Sequence, residues 1–168
     1  MHIIANHLGA LSVALTDTPA RSGRSQASIA SLLTLSHWGP LGVTEIAAIL
    51  RLSQPATTRL LNKLKVEGLV ELACDGSGRE RPVRLTAAGR ELASSLQKER
   101  LGRIERALAV LDADEAEGFA KALVKMLDGL VEGRSHARHI CRLCDHEMCD
   151  GPLCPVGMKA TELEGAMI

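Results

Sequence analysis

The stretch VTEIAAILRLSQPATTRLLNKLKVEGLVELACDGSGRERPVRLT, residues 43–86, decides the fold. Its beginning, 44–50, is short and apolar on one side, which predicts a short helix. After a tight turn, Ser53 is a favoured N-cap for a second helix, and Pro55 falls in the first turn, where its missing N–H costs nothing. Gly68 is placed to end that helix. Two helices joined by about three residues have the geometry of a helix-turn-helix.

A β-hairpin is predicted directly after the second helix. Leu69 to Cys74 is a strand candidate, Asp75 to Gly78 is a strong turn signal, and Arg81 to Thr86 returns as the second strand. Pro82 indicates an edge position, because proline has no N–H to donate to a neighbouring strand. Together these elements predict a winged helix-turn-helix.

The outer face of the second helix carries polar side chains that can pair with base edges or phosphates. A merely solvated face is the alternative, but Thr and Ser are poorer helix formers than the Glu and Lys typical of such a face. Arginines at a hairpin tip can enter a minor groove or hold phosphates, the alternative being a solubilising loop. We therefore predict that double-stranded DNA is contacted by Ser53, Gln54, Thr57, Thr58, Arg59, Asn62, Lys63, Arg79 and Arg81.

The charge distribution agrees with a local DNA-binding segment. The whole chain of 168 residues has a net charge of zero, which argues against a uniformly basic protein. Residues 51–90, however, carry eight Lys or Arg against four Asp or Glu, whereas residues 91–133 carry six against nine. Positive charge is therefore concentrated on the predicted winged helix-turn-helix, residues 37–86, which is the proposed DNA reader.

The flanking segments are predicted to be helical. Leu and Ala dominate a chain with Trp38 and Phe119 as its two aromatic residues, which favours helices over a β-sandwich or barrel. The predicted organisation is N-terminal helices for dimerisation and core (1–36), the winged helix-turn-helix (37–86), C-terminal dimerisation helices (87–133) and a cysteine-rich tail (134–168). The fold class is thus mainly α with a small β-hairpin wing. The apolar helix faces exceed what the reader can cover, so we expect a homodimer packed through its terminal helices.

The chain resembles the MarR family of transcriptional regulators over roughly residues 2–133. The resemblance lies in LLTLSHWGPLGVTEIAAILRLSQPATTRLLNKLKVEGLV (32–70), RPVRLTAAGREL (81–92) and LDADEAEGFAKALVKML (111–127). It implies a homodimer that inserts the helix after Ser53 into the major groove, and the hairpin into the minor groove, of a pseudo-palindromic operator. It also implies a repressor role, often relieved by a small ligand, with Arg59 as the recognition-helix arginine and Arg79 and Arg81 as wing contacts. The Gly-rich wing departs from the more highly charged wings common in the family.

The tail HARHICRLCDHEMCDGPLCPVG (136–157) lies outside that resemblance and holds a C-x2-C-x4-C-x4-C array. We expect Cys141, Cys144, Cys149 and Cys154 to bind zinc, which would supply folding energy to a tail with almost no core of its own. An iron–sulfur cluster is the alternative, since Cys154 precedes a proline as in ferredoxin runs. Redox-switched disulfides are a third reading. His136, His139 and His146 are candidate replacement ligands, and Cys74 is either a packed strand thiol or a sensor.

The remaining classes of function are less well supported. No signal peptide or membrane span is apparent in the sequence, so we expect a reducing cytoplasm, where clustered cysteines favour metal ligation over structural disulfides. An enzyme is not expected, because four clustered cysteines are better ligands than a single activated nucleophile. We predict a dimeric DNA-binding repressor with a metal-bound tail and a possible small-molecule or redox effector. The alternative is a metal-tailed protein-interaction module that does not bind DNA.

Overall fold

The computed structural model describes residues 1–16, 23–73 and 81–166. These residues form eight α-helices, one short 3-10 turn and one antiparallel pair of strands, which confirms the predicted fold class. The elements are α1 (His2–Thr16), α2 (Gln26–Trp38), α3 (Val43–Leu50), α4 (Gln54–Val66), β1 (Val70–Leu72), β2 (Val83–Leu85), α5 (Ala87–Leu108), α6 (Ala113–Leu130), α7 (Arg134–Cys141), the 3-10 turn Gly151–Leu153 and α8 (Pro155–Gly165). None of the helices in the described ranges is both long enough and apolar enough to cross a membrane.

Helix α2 lies at the centre of the main core. The side chain of Ser25 caps it by accepting the N–H of Ser28. Leu32 is fully buried, and α2 packs against α5 as well as against α3, α4 and β2. The hydroxyl of Ser31, also fully buried, donates to the carbonyl of Ala27 at 2.8 Å. The reader is thus built around one helix that is enclosed on several sides.

The wing is anchored by a short, regular sheet. Val70 pairs with Leu85 and Leu72 pairs with Val83, and Leu41 adds an isolated bridge to Val83. The strands are shorter than predicted, although one further hydrogen bond, from Ala73 N to Pro82 O at 2.7 Å, extends the pairing. The predicted turn 75–78, together with Cys74 and Arg79, lies outside the described residues.

The wing is joined to α5 by a close backbone contact. Thr86 caps α5 by accepting the N–H of Gly89, and its hydroxyl donates to the carbonyl of Gly68 at 2.7 Å. A Cβ on Gly89 would lie 2.0 Å from the carbonyl oxygen of Leu69, so a glycine is required there. This contact fixes the position of the wing strands relative to α5.

Two flanking helices present apolar side chains to the surface. Neither α1 nor α6 has a buried residue, although α6 begins with a complete capping box between Asp112 and Glu115. Arg103 of α5 donates to the carbonyls of Ala14 and Leu15, both at 3.3 Å, and so holds the end of α1. Large exposed apolar residues on these two helices are Ile3, Ile4, Leu8, Leu11, Val13, Val124, Met126 and Leu130.

The tail corrects one expectation from the sequence. It was expected to have almost no core of its own, yet α7 and α8 pack together and build a second small core from Val131, Ala137, Cys141, Cys154, Val156 and Ala160. Two of the four clustered cysteines are therefore buried apolar side chains as well as candidate ligands. Trp38 at the end of α2 packs against this second core and also against the main one.

Candidate nucleic-acid interface and the adjoining cysteine cluster

The turn between α3 and α4 is tightly fixed by hydrogen bonds. Arg51 adopts a left-handed conformation with φ of 54° and ends α3, while the N–H of Leu52 donates to the carbonyl of Ala47 at 3.0 Å. Ser53 then caps α4, its hydroxyl accepting the N–H of Ala56 at 3.4 Å. The orientation of α4 consequently depends on where α3 lies.

The exposed face of α4 carries most of the predicted DNA contacts. The side chain of Gln54 donates to the hydroxyl of Thr44 at 2.6 Å, which links this face to α3. In the part of the chain that the structure describes, neither Arg59 nor Lys63 makes an ion pair, so both cations face solvent. The exposed members of the predicted set on and before this helix are Ser53, Gln54, Thr58, Arg59, Asn62 and Lys63.

Thr57 does not lie on that face, and its assignment as a DNA contact is wrong. Its side chain is fully buried, and its hydroxyl donates to the carbonyl of Ser53 at 3.1 Å. The reason is helical spacing: Thr57 lies four residues before Leu61 and seven before Leu64, and both leucines are buried in the core. The hydroxyl of Thr57 is hydrogen-bonded within its own helix, so the position can be buried although the residue is polar.

The wing provides one described cation of the two that the sequence predicts. Arg81 is exposed just before β2. Arg84 is paired with Glu71 across the sheet at 2.9 Å, so part of its charge is neutralised. Two further exposed cations, Arg51 and Lys65, are not among the predicted contacts, although both belong to the local excess of positive charge.

The tail packs directly on the first helix of the helix-turn-helix. Arg138 of α7 places its Nη1 2.5 Å from Oε1 of Glu45 in the first turn of α3. His139 places its Nδ1 2.8 Å from the carbonyl oxygen of Ile49, and burial lowers the pKa of this histidine. His139 is thus bonded to α3, while His136 lies 3.6 Å from the carboxylate of Glu132.

The four clustered cysteines interact with one another in two pairs. A hydrogen bond with Cys144 and burial raise the pKa of Cys141 well above its usual range. The same hydrogen bond and the charge of Arg100 lower the pKa of Cys144 to about 7. Burial and the neighbouring Cys154 raise the pKa of Cys149 to about 11. Cys141, Cys149 and Cys154 border one cavity, so the two pairs lie near each other.

These thiols do not form a ready coordination sphere. Among the described residues, no group of three or more His, Cys, Asp and Glu side chains is positioned to hold a metal ion. All four are free cysteines, two of them buried and two half-buried. The four thiols lie close together, but their sulfur atoms do not surround one common metal position.

Two histidines stack beside the thiols. The rings of His37 and His146 have centroids 3.3 Å apart, and each is edge-on to Trp38 at 4.9 Å. Burial and the neighbouring His146 lower the pKa of His37 to about 4, so His37 is neutral near pH 7. His146 also bonds the carbonyl of Cys141 at 3.2 Å. A cavity of about 460 Å³ adjoins this stack and is bordered by three of the cysteines.

Comparison with known proteins supports the fold and finds a family match in one segment of the chain. Residues 25–72 match the model of the MarR family. No curated protein matches the chain significantly. Rv1404 of Mycobacterium tuberculosis has a similar structure, with 24% identity and a TM-score of 0.69 over 79% of this chain and 95% of that one. MepR, a transcription regulator of the Staphylococcus aureus multidrug efflux pump MepA, shares 19% identity with a TM-score of 0.65 over 77% and 96%.

A third similar structure is the MarR family protein Rv2887 of Mycobacterium tuberculosis. In its complex with DNA it is 25% identical, with a TM-score of 0.59 over 75% of this chain and 96% of that one. It is also known in complex with salicylic acid, at 27% identity and a TM-score of 0.56 over 75% and 95%. The matched segment contains α3, its turn and α4, and the surrounding helices and wing follow the same fold. Residues 25–72 of the chain therefore match the MarR family of transcription regulators, and the described residues share the fold of these similar structures.

Proposed function

We propose that the protein is a homodimeric repressor that binds a specific duplex operator through α4 and the wing. The observation that carries this proposal is the solvent-facing surface of α4, where Arg59, Asn62 and Lys63 are all exposed on a helix held by a rigid turn. Such side chains suit hydrogen bonding to base edges and phosphates in a major groove. The DNA complex of the related Rv2887 supports the same use of the fold.

The wing contributes phosphate or minor-groove contacts in this proposal. Arg81 is exposed beside the sheet, and Arg79 precedes it in sequence. Because the wing strands are pinned to Leu41 and to the start of α5, β1 and β2 would keep a fixed position relative to α4. A fixed position is what lets one protomer read adjacent major and minor grooves.

Dimerisation would proceed through α1 and α6. Their exposed apolar side chains include Ile3, Ile4 and Leu130, each more than half exposed in the single chain. Apolar surface of this extent is unusual on a monomer and is commonly covered by a partner. A two-fold arrangement would place two copies of α4 on successive half-sites of a pseudo-palindrome.

We also propose that the cysteine tail binds a metal and that the effector is a small molecule or a redox change. Zinc is the proposed ion, with an iron–sulfur cluster as the alternative for the same four thiols. Their support is that Cys141, Cys144, Cys149 and Cys154 all lie in or against the tail core, with three of them bordering one cavity. Repression is proposed because a dimer seated on an operator blocks other proteins from that duplex.

The operator-binding role is tested with Arg59→Ala, using a duplex selected from random sequence by the wild-type protein. We expect affinity to fall roughly ten- to hundred-fold, because each dimer loses two arginine contacts. The matched control is Lys98→Ala, since Lys98 is an exposed cation on α5 outside the winged helix. Equal loss in both variants, or none in Arg59→Ala, would refute the assigned face.

A further inference from the structure

The cysteine cluster lies where the tail meets the DNA-binding unit. Cys141 ends α7, Cys144 follows in the next turn, and Cys154 caps α8. Leu143, between the first two cysteines, packs against the main core, while Trp38 of α2 packs against the tail core. The cluster therefore lies beside the contact between the two cores.

Backbone groups around the thiols suit thiolate sulfur. The N–H of Gly157 in the first turn of α8 donates to Sγ of Cys154 at 3.1 Å, and the N-terminal end of a helix favours negative charge. A Cβ on Gly157 would approach that sulfur to 3.2 Å, so glycine leaves room for the contact. Arg100 of α5, which interacts electrostatically with Cys144, supplies a nearby positive charge.

The same segment is hydrogen-bonded to two other helices, α5 and α3. The carbonyl of Leu143 accepts hydrogen bonds from Gln97 at 3.2 Å and from Arg100 at 3.1 Å, which fixes the turn between Cys141 and Cys144 on α5. From α7, Arg138 holds Glu45 and His139 holds the carbonyl of Ile49, at opposite ends of α3. Any ligand that fixes the cysteine turn also fixes α7 against α3.

We propose that the four thiols bind one Zn²⁺ per chain as thiolates, and that this ion holds α7 against α3 so that metal loading raises the affinity for duplex DNA. The regulatory half of this inference rests on the proposed DNA-binding function. Four sulfurs in a C-x2-C-x4-C-x4-C array are a ligand set that zinc prefers. Each thiol loses its S–H bond and gains a bond to zinc, and the protons pass to solvent.

The direction of the effect follows from the order of the helices. Helix α3 fixes the orientation of α4, because the turn between them is closed by the hydrogen bond from Leu52 N–H to the carbonyl of Ala47. When zinc closes the two thiol pairs around one ion, α7 can no longer separate from the rest of the tail, and α3 keeps a single position. Without the ion, α7 and α8 depend on a core of six small or medium buried side chains, and α3 loses part of its support.

The experiment uses the full chain, purified under reducing conditions without air, in zinc-loaded and chelator-stripped forms. Zinc content, duplex affinity and amide hydrogen exchange in α3 are measured for each form. We expect one zinc per chain, a rise in the dissociation constant for duplex of about ten-fold on stripping, and faster exchange across α3, since couplings of this kind are usually a few-fold to about a hundred-fold. Cys144→Ser with Cys149→Ser should lose zinc and behave as the stripped form, whereas Cys74→Ser should not.

Two arginine variants distinguish the coupling between the tail and α3 from zinc binding itself. Arg138→Ala breaks the bond to Glu45 and should keep zinc while losing part of the zinc dependence of duplex affinity, about two-fold of the expected ten-fold, because the link from His139 to Ile49 remains. Arg134→Ala breaks a bond within the tail, to Glu164, and should behave as wild type. Equal behaviour of the two variants would refute the coupling through α7.

Three further outcomes distinguish a failure of the zinc site or its coupling to α3 from a failure of the proposed DNA-binding function. A wild-type protein that takes up no zinc, or a brown protein that holds iron and sulfide, would overturn the zinc site. Zinc uptake with unchanged exchange in α3 would overturn the coupling even if no duplex were bound. Zinc-dependent protection of α3 in a protein that binds no duplex would support the coupling and refute the proposed function.

Discussion

Arg138 of the tail and Glu45 of α3 lie 93 residues apart in sequence, yet the guanidinium Nη1 is 2.5 Å from the carboxylate Oε1. The side chains of Arg138 and Glu45 are 40% and 42% exposed, respectively. An ion pair of that exposure contributes at most about 1 kcal/mol to stability, because solvent screens it. Its structural consequence is positional: it fixes the added tail on the helix that orients the reader.

The energetic weakness of this pair can be measured with a double-mutant cycle. Chemical unfolding of Arg138→Ala, Glu45→Ala and the double variant should give a coupling free energy of about 0.5 kcal/mol. Arg84→Ala with Glu71→Ala provides a comparison, since that pair in the wing sheet is similarly exposed. A coupling of several kcal/mol would show that Arg138 is part of the core energetics and would contradict a mainly positional role.

Thr57 should affect stability and not DNA recognition. Thr57→Ala removes a fully buried methyl group and hydroxyl and is expected to lower the free energy of unfolding by roughly 1–2 kcal/mol. Duplex affinity, measured well below the unfolding transition, should stay within about two-fold of wild type, because the side chain faces the core. Thr58→Ala on the exposed face should give the reverse result. A selective loss of duplex affinity in Thr57→Ala would contradict the orientation of α4.

Gly89 should tolerate no side chain. Gly89→Ala would place its Cβ 2.0 Å from the carbonyl oxygen of Leu69, so the wing or α5 must move, at a cost of roughly 1–3 kcal/mol or more. The same change at Gly165, the last residue of α8, has open space around it and should change the free energy of unfolding by less than about 1 kcal/mol. Thermal unfolding of the two variants distinguishes these cases. Equal stability would mean that α5 does not cross Leu69 so closely.

The terminal helices should determine the oligomeric state. Leu8→Glu with Leu11→Glu places charges on the apolar side of α1, where a partner subunit is proposed to pack. Sedimentation equilibrium should show a shift from dimer to monomer, while far-UV circular dichroism stays close to wild type. Leu153→Glu in the tail is the control, as this residue is also a highly exposed apolar side chain. Dimers of unchanged strength in the α1 variant would place the interface elsewhere.

The elements of the reader could be predicted because local signals agree with the final fold. Ser25, Ser53, Thr86 and Asp112 are all side-chain caps in the structure, and each was recognisable as a residue that favours a helix start. Gly68 takes a positive φ of 72° directly after α4, as its position suggested. Local chemistry of this kind does not depend on tertiary contacts.

Features set by tertiary packing could not be read from the sequence. The burial of Thr57 depends on which side of α4 faces the core, and a threonine suits either side. The position of α7 on α3 depends on Arg138 and His139 finding partners about ninety residues away. The tail core likewise arises because α7 and α8 pack together, which a cysteine-rich pattern does not indicate.

The central claim is that the exposed face of α4 binds duplex DNA, and the salt dependence of that binding tests it most directly. If the dimer neutralises six or more phosphates, the dissociation constant should rise by roughly a thousand-fold between about 50 mM and about 200 mM salt, because bound counterions are released from the duplex. Replacing Lys63 with alanine should make the slope shallower. A duplex affinity that is insensitive to salt, or a slope unchanged in Lys63→Ala and Arg59→Ala alike, would contradict the account.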